Sequence, residues 1–297
     1  MTPKNPNRIS AGRIGYFFLR TVRPALRASF AVVALLLAAG LLAGACGYNS
    51  ESELQRAADA WDSGDYERSV ALYEHYLEHR PDGETSLRAR FKLANIYFAN
   101  LHRYDRAAGH YREFLNQSGP GESDTRVVRE RLAESLSELG RSYEAIAEYE
   151  NITPLDQIDR RRIRLRIADL YFDQKNYSQA LTEYNKITDN AAYDEVGENA
   201  YLREASIYQL ERKQYQQALP IYQKLAAETT DAKVRTRALY NIDDCYTNLF
   251  QFDEAIRALR EIKDPAEQAF VARRINEREQ QNREAARSLA AGRTLMK

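Results

Sequence analysis

The stretch Gly64-Asp65-Tyr66-Glu67-Arg68-Ser69-Val70-Ala71-Leu72-Tyr73, closed by Pro81, decides the fold. Gly64 offers the permissive backbone of a tight turn, and Asp65 stands where a helix start takes a side-chain acceptor. Val70, Tyr73 and Leu77 recur at helical spacing, and Pro81 ends the run. The pattern then returns. The small-residue slot of Ser69 is refilled by Ala107, Ala145, Ala180, Ala218 and Ala255, at spacings of 38, 38, 35, 38 and 37 residues. A large residue follows each slot four positions later: Tyr73, Tyr111, Tyr149, Tyr184, Tyr222 and Leu259. One supersecondary unit repeated six times predicts an all-α solenoid of stacked helix pairs.

A second recurrence lies upstream of each slot. Leu93-Ala94 with Tyr97, Leu132-Ala133 with Leu136, Ile167-Ala168 with Tyr171, Ala205 with Tyr208, and Ile242 with Tyr246 mark a first helix in each pair. Large residues one turn apart make a core stripe, and the Ala between them lets the second helix approach closely. These two series resemble the tetratricopeptide repeat over residues 51–265, six repeats. Asp243 departs from the pattern, standing where the sixth repeat should carry a small residue. Residues 97 to 104 hold one residue more than the pattern needs, and the third repeat ends early at Pro154. Ser50 with Glu53 suggests a capping box at the start of the array. Ser118–Gly121, Pro154–Asp159 and Asp189–Glu195 are the expected connectors. After Asp264-Pro265, residues 266–297 are expected to form a capping helix followed by a fraying basic tail.

Charge divides the chain differently. Residues 1–45 carry six Lys or Arg and no acid, leaving 37 basic against 43 acidic residues after them, a net of −6. An acidic body argues against nucleic acid as the partner, because phosphate binding depends on positive charge. The basic start leads into an uncharged run from Ala28 to Ser50. A positive segment, an apolar segment and small residues before a break describe an export signal over residues 1–45. The break, Leu42-Ala43-Gly44-Ala45-Cys46, resembles the bacterial lipobox, although Ala43 replaces the commoner Leu and the basic segment is long. The resemblance implies a lipid, palmitate among its chains, on Cys46, with 46–50 as a linker. Gly47 after the Cys implies outer-membrane sorting. An uncleaved anchor remains open, since about 20 apolar residues span a bilayer, as does ordinary cleaved secretion. Each alternative puts the body in the cell envelope, facing the periplasm.

One catalytic pattern invites a test. His75-Tyr76-Leu77-Glu78-His79 matches the H-x-x-E-H arrangement in which two His hold zinc and Glu activates water. Tyr76 and Leu77 are packing residues of a second helix, so His75 and His79 fall on an outward face, with no evident third ligand. A zinc hydrolase is therefore the weakest alternative. No phosphate loop, Cys pair or nucleophile elbow occurs elsewhere, and Cys245 sits on an apolar stripe. The chain is expected to be no enzyme and to need no cofactor.

Tetratricopeptide arrays line their groove with the first helices. Carried onto this sequence, that resemblance points to Trp61, Phe91, Asn95, Phe98, Asp169, Phe172, Tyr240 and Asp244 as partner-binding residues. Trp61, Phe91 and Phe98 are expected to form one apolar patch, and the partner to be an envelope protein or peptide. The first two repeats also resemble the BamD family of outer-membrane assembly lipoproteins, through Gly64-Asp65-Tyr66, Tyr73, His79-Arg80-Pro81-Asp82-Gly83, Ala89, Ala94, Tyr97 and Tyr104 through Phe114-Leu115. Glu144-Ala145-Ile146-Ala147-Glu148-Tyr149 is only a partial echo of that family's later repeats. The expected function is a scaffold for an envelope complex of pilus, motility or Tol-Pal division type, with BamD-like outer-membrane assembly as the alternative.

Overall fold

The computed structural model describes residues 51–118, 123–189 and 193–295. The export segment, Cys46, Ser50 and the centres of two connectors lie outside them. Among the described residues every regular element is a helix, and none is long and apolar enough to cross a membrane. The helices follow one another through short turns and connectors. Helix α1 covers residues 51–62, followed by α2 (Tyr66–His79), α3 (Glu84–Asn95), α4 (Tyr104–Gln117), α5 (Ser123–Glu138) and α6 (Ser142–Glu150). Then come α7 (Gln157–Asp173), α8 (Tyr177–Thr188), α9 (Glu195–Ser206), α10 (Tyr215–Glu228), α11 (Ala232–Asn248), α12 (Phe252–Arg260) and α13 (Gln268–Leu295). The described residues fall into two compact units, which divide between His102 and Arg103.

The six small-residue slots explain why the helices can pack. Ser69, Ala107, Ala145, Ala180, Ala218 and Ala255 are all fully buried, at 0% exposure. A Cβ-sized side chain there leaves room for a facing helix, while the residue one turn on fills the core. Ser69, the one polar occupant, satisfies its hydroxyl by donating to the Ala57 carbonyl at 2.7 Å. In the second unit, Ala180 packs in one cluster with Ala168, Leu181, Tyr184 and Ile187. Ala218, Tyr222, Leu239 and Leu259 belong to the next cluster. Cys245 is buried there as well, and burial pushes its thiol up to about 12, so it fills space and is inert as a nucleophile.

The turn inside each pair has a shared backbone that the sequence only partly signals. The residue five places before each slot has positive φ: Gly64 at 79°, His102 at 51°, Gly140 at 70°, Lys175 at 59°, Lys213 at 51° and Phe250 at 58°. Four of the six turns thus hold a left-handed conformation without glycine, at some steric cost. The gain is a closed helix end. The next amide reaches back five residues in the first, third, fourth and sixth turns, as in Asp65 N–H to the Ala60 carbonyl at 2.9 Å and Gln251 N–H to the Tyr246 carbonyl at 2.9 Å. It reaches back six in the fifth, where Gln214 N–H meets the Tyr208 carbonyl at 2.7 Å.

The extra residue noted in the second repeat has a structural address. From the small-residue position of the first helix (held by Asp243 in repeat six) to the slot is 12 residues in repeats three, four and six, but 13 from Ala94 to Ala107 and from Ala205 to Ala218. In both long cases the first helix ends in a π-helical turn, Ile96–Asn100 and Ile207–Glu211. The wider turn takes up one residue while the core register on either side is kept.

Ser50, expected to cap the start of the array, lies outside the described residues; the carboxylate of Glu53 reaches across to His75 and to Arg80 on the end of α2. Two expectations are corrected. The last helix starts at Gln268, because Asp264 caps a tight turn instead, accepting from the Ala266 amide at 2.9 Å. That helix continues to Leu295, well past the apolar residues that predict it.

Candidate functional site: the groove beside Trp61

In the first unit, residues of α1, α2, α3 and the π turn after α3 line an apolar groove of about 260 Å³. Ala58 and Trp61 form one wall and Tyr73 contributes to the base. Lys92, Asn95, Ile96, Ala99 and Asn100 form the other wall. Trp61 is 48% exposed although it is the only Trp in the chain, and its indole Nε1 donates to Asn100 Oδ1 at 3.3 Å. Tyr73 is buried, and burial raises its phenol above the ordinary range, keeping it neutral. The arrangement offers an aromatic face, an aliphatic wall, two side-chain amides and one cation. That chemistry suits an apolar side chain presented on a peptide backbone.

The π turn explains why this groove differs from the expected patch. Counted back from the left-handed residue of each turn, the counterpart of Trp61 is Ala99, not Phe98. Phe91 and Phe98, both half-buried, lie outside the groove walls, whereas Trp61 and Asn95 line it. Seven residues from Phe91 to Phe98 would be two turns of an α-helix, but the widened turn breaks that period. Asn100, the last residue of the widened turn, escaped the sequence reading for the same reason.

The four expected residues of the second unit are engaged within it. The Tyr184 hydroxyl donates to Asp169 Oδ1 at 2.5 Å, and Arg203 Nε stands 3.7 Å from the same oxygen. Burial raises the Asp169 carboxyl above its ordinary value, against the pull of the Tyr184 hydrogen bond and of Arg203. The Arg203 guanidinium also covers the Phe172 ring, 5.3 Å from its centre. Asp169 and Phe172 on α7 therefore join α9 through one arginine. Tyr240 and Asp244 on α11 meet α13: Tyr240 donates to Glu267 at 2.6 Å and packs edge-on against Phe270, and Asp244 pairs with Arg274. Asp243 beside them has 0% exposure and takes both Arg274 and Arg278. The arginines could not be read from periodicity, but the misfit of Asp243 was their signal.

The outward placement of His75 and His79 holds, with the His75 side chain 60% exposed. Among the described residues no group of three or more His, Cys, Asp or Glu is placed to hold a metal. Glu78 is exposed beside them.

The comparisons with known proteins bear on the repeat. A tetratricopeptide repeat family model matches residues 163–192, spanning α7 and α8. Those residues belong to the fourth of the six pairs, and the other five share its buried slots and turn. Among the described residues each unit is built of tetratricopeptide-type helical repeats, and a further helix, α13, ends the second. No curated protein matches the chain in sequence. Among solved structures, a tetratricopeptide repeat protein of Parabacteroides merdae is similar at 17% identity and a TM-score of 0.49, over 80% of this chain and 92% of that one. The C-terminal part of a repeat protein of Cytophaga hutchinsonii is similar at 16% identity and 0.49, over 80% and 99%. The pilF protein of Pseudomonas aeruginosa is similar at 18% identity and 0.43, over 72% and 90%.

Proposed function

We propose that this chain is a lipid-anchored, non-enzymatic scaffold of the bacterial envelope that holds a partner protein by an apolar residue seated against Trp61. The observation that carries the reading is the groove itself. A large aromatic left half open to solvent, over a buried Tyr and flanked by amides, is a surface built to be covered. In the second unit Asp169, Phe172, Tyr240 and Asp244 are engaged by side chains of neighbouring segments, whereas Trp61 keeps an open face in the first.

The envelope setting rests on the sequence: the basic and apolar segment ending at Cys46, 15 residues before Trp61. A diacylated Cys46 would hold the groove close to a membrane surface, because each buried CH₂ of a lipid chain contributes about 0.8 kcal/mol. The partner is then a component of an envelope assembly complex. The test is capture from solubilised envelopes by the lipidated protein and by Trp61→Ala and Cys46→Ala variants. Trp61→Ala is expected to lower capture at least tenfold with helicity unchanged, and Cys46→Ala to lose lipid labelling and membrane retention. Equal capture by Trp61→Ala, or equal retention by Cys46→Ala, overturns the corresponding half of the reading.

A further inference from the structure

We propose that His75 and His79 form a two-imidazole chelate for a divalent transition-metal ion of borderline softness, such as Cu²⁺, Ni²⁺ or Zn²⁺, on the outer face of α2. The two residues are four apart on one helix, and their rings lie 4.4 Å apart, inclined at 41°. Each ring has one nitrogen already committed. His75 Nδ1 faces a carboxylate oxygen of Glu53, and His79 Nδ1 faces the His75 carbonyl at 2.8 Å. Both partners can only accept, so both Nδ1 atoms carry the proton and donate it. In the neutral form of each ring the lone pair is therefore on Nε2.

That is the arrangement a metal-binding imidazole requires. A ligating His donates its other nitrogen to a carboxylate or a backbone carbonyl, which fixes the tautomer, sets the ring plane and raises the basicity of the metal-facing nitrogen. Here one ring has each kind of support. Glu53 is itself held: its side chain is 11% exposed, and Arg80 Nη1 stands 3.7 Å from its second oxygen. A carboxylate buried between α1 and α2 thus positions an exposed imidazole, an expense that helix packing alone does not require. Imidazole selects Cu, Ni and Zn over Mg and Ca, whose preferred ligands are oxygens. With two protein ligands, the other coordination positions are left to water or to an incoming side chain. The site is thus no version of the zinc hydrolase: Glu53 is a positioning residue, and Glu78 has no role.

The test is equilibrium titration of the protein, free of any polyhistidine tag, with Co²⁺, Ni²⁺ and Cu²⁺ chlorides, with electron paramagnetic resonance of the Cu²⁺ form. Saturable binding of one ion per chain is expected, tightening from Co²⁺ to Ni²⁺ to Cu²⁺, with nitrogen hyperfine structure from two imidazoles. His75→Ala and His79→Ala should each remove that signature. Glu53→Gln should weaken binding by about tenfold through loss of the supporting carboxylate, and Glu78→Gln should change nothing. Should Glu53→Gln disturb the fold, His79→Ala, at an exposed position, decides alone. Absence of saturable binding, or a double variant His75→Ala/His79→Ala that binds as the parent does, overturns the proposal.

Discussion

Asp243 and Arg278, 35 residues apart, form a buried two-point pair: Arg278 Nε donates to Oδ1 at 2.8 Å and the guanidinium donates again to Oδ2 at 3.2 Å. The pair closes α13 onto α11, and Arg274 joins the same carboxylate at 2.5 Å. Removing the carboxylate leaves two largely buried guanidinium groups with only the partly exposed Asp244 as counter-charge. Asp243→Ala is expected to destabilise by about 3–5 kcal/mol, while Asp243→Ala combined with Arg274→Met and Arg278→Met recovers most of the loss. Denaturant unfolding of the single and triple variants is the check, and equal stability of both would dissolve the account of how α13 is held.

The buried slots set a second expectation. Ala180 sits between Ala168 and Tyr184, so Ala180→Leu should overpack the seam by about 1–3 kcal/mol. Glu148→Gln removes only a partly exposed pair with Arg129 at 2.8 Å and should cost at most about 1 kcal/mol. Thermal melts that rank the two changes in the opposite order would show that the helix register is wrong.

The turns predict stabilisation. Lys175 and Lys213 are exposed and left-handed, a conformation glycine adopts freely. Lys213→Gly should raise stability by about 0.5–1 kcal/mol, the relief of strain exceeding the added entropy of the unfolded chain. Lys213→Val should lower it. Melting temperatures moving the other way would contradict the shared turn backbone.

A pH dependence follows from Glu204. Burial, with Asp189 adding to it, lifts its carboxyl to about 7, against the Thr188 hydroxyl that donates to it at 3.1 Å and against Lys224. The folded value lies above the unfolded one, so the protonated acid is favoured by folding. Its contribution is complete below about pH 4.5 and is lost as pH rises through about 7, amounting to about 2–3 kcal/mol. Glu204→Gln should flatten that part of the stability profile and be more stable than the parent at pH 8. An unchanged slope between pH 5 and 8 would show that Glu204 is ionised in the fold.

How much of this was legible in the sequence depends on what kind of signal each feature leaves. The slots at Ser69 through Ala255 were visible because a small side chain is the only way two helices approach so closely, and the same demand recurs in every pair. The turns were half visible: Gly64 and Gly140 announce the left-handed residue, but His102, Lys175, Lys213 and Phe250 adopt it under tertiary compulsion that no local propensity records. The groove was misdrawn around Phe98 because an α-helical period was carried through Ile96–Asn100, where one inserted residue becomes a π turn. Asp243 was legible only as an anomaly. Its explanation lay with arginines of α13, in a stretch whose sparse apolar residues concealed a continuous helix.

The central claim is that a partner is held in the groove beside Trp61. A photo-crosslinking amino acid placed at Ala99, an exposed position on the groove wall, tests it in living cells against the same group at Glu78 on the outer face of α2. The account predicts a discrete cross-linked product from position 99 that disappears when Trp61→Ala is introduced, and none from position 78. A product from position 78 alone, or one from position 99 that survives Trp61→Ala undiminished, would contradict it.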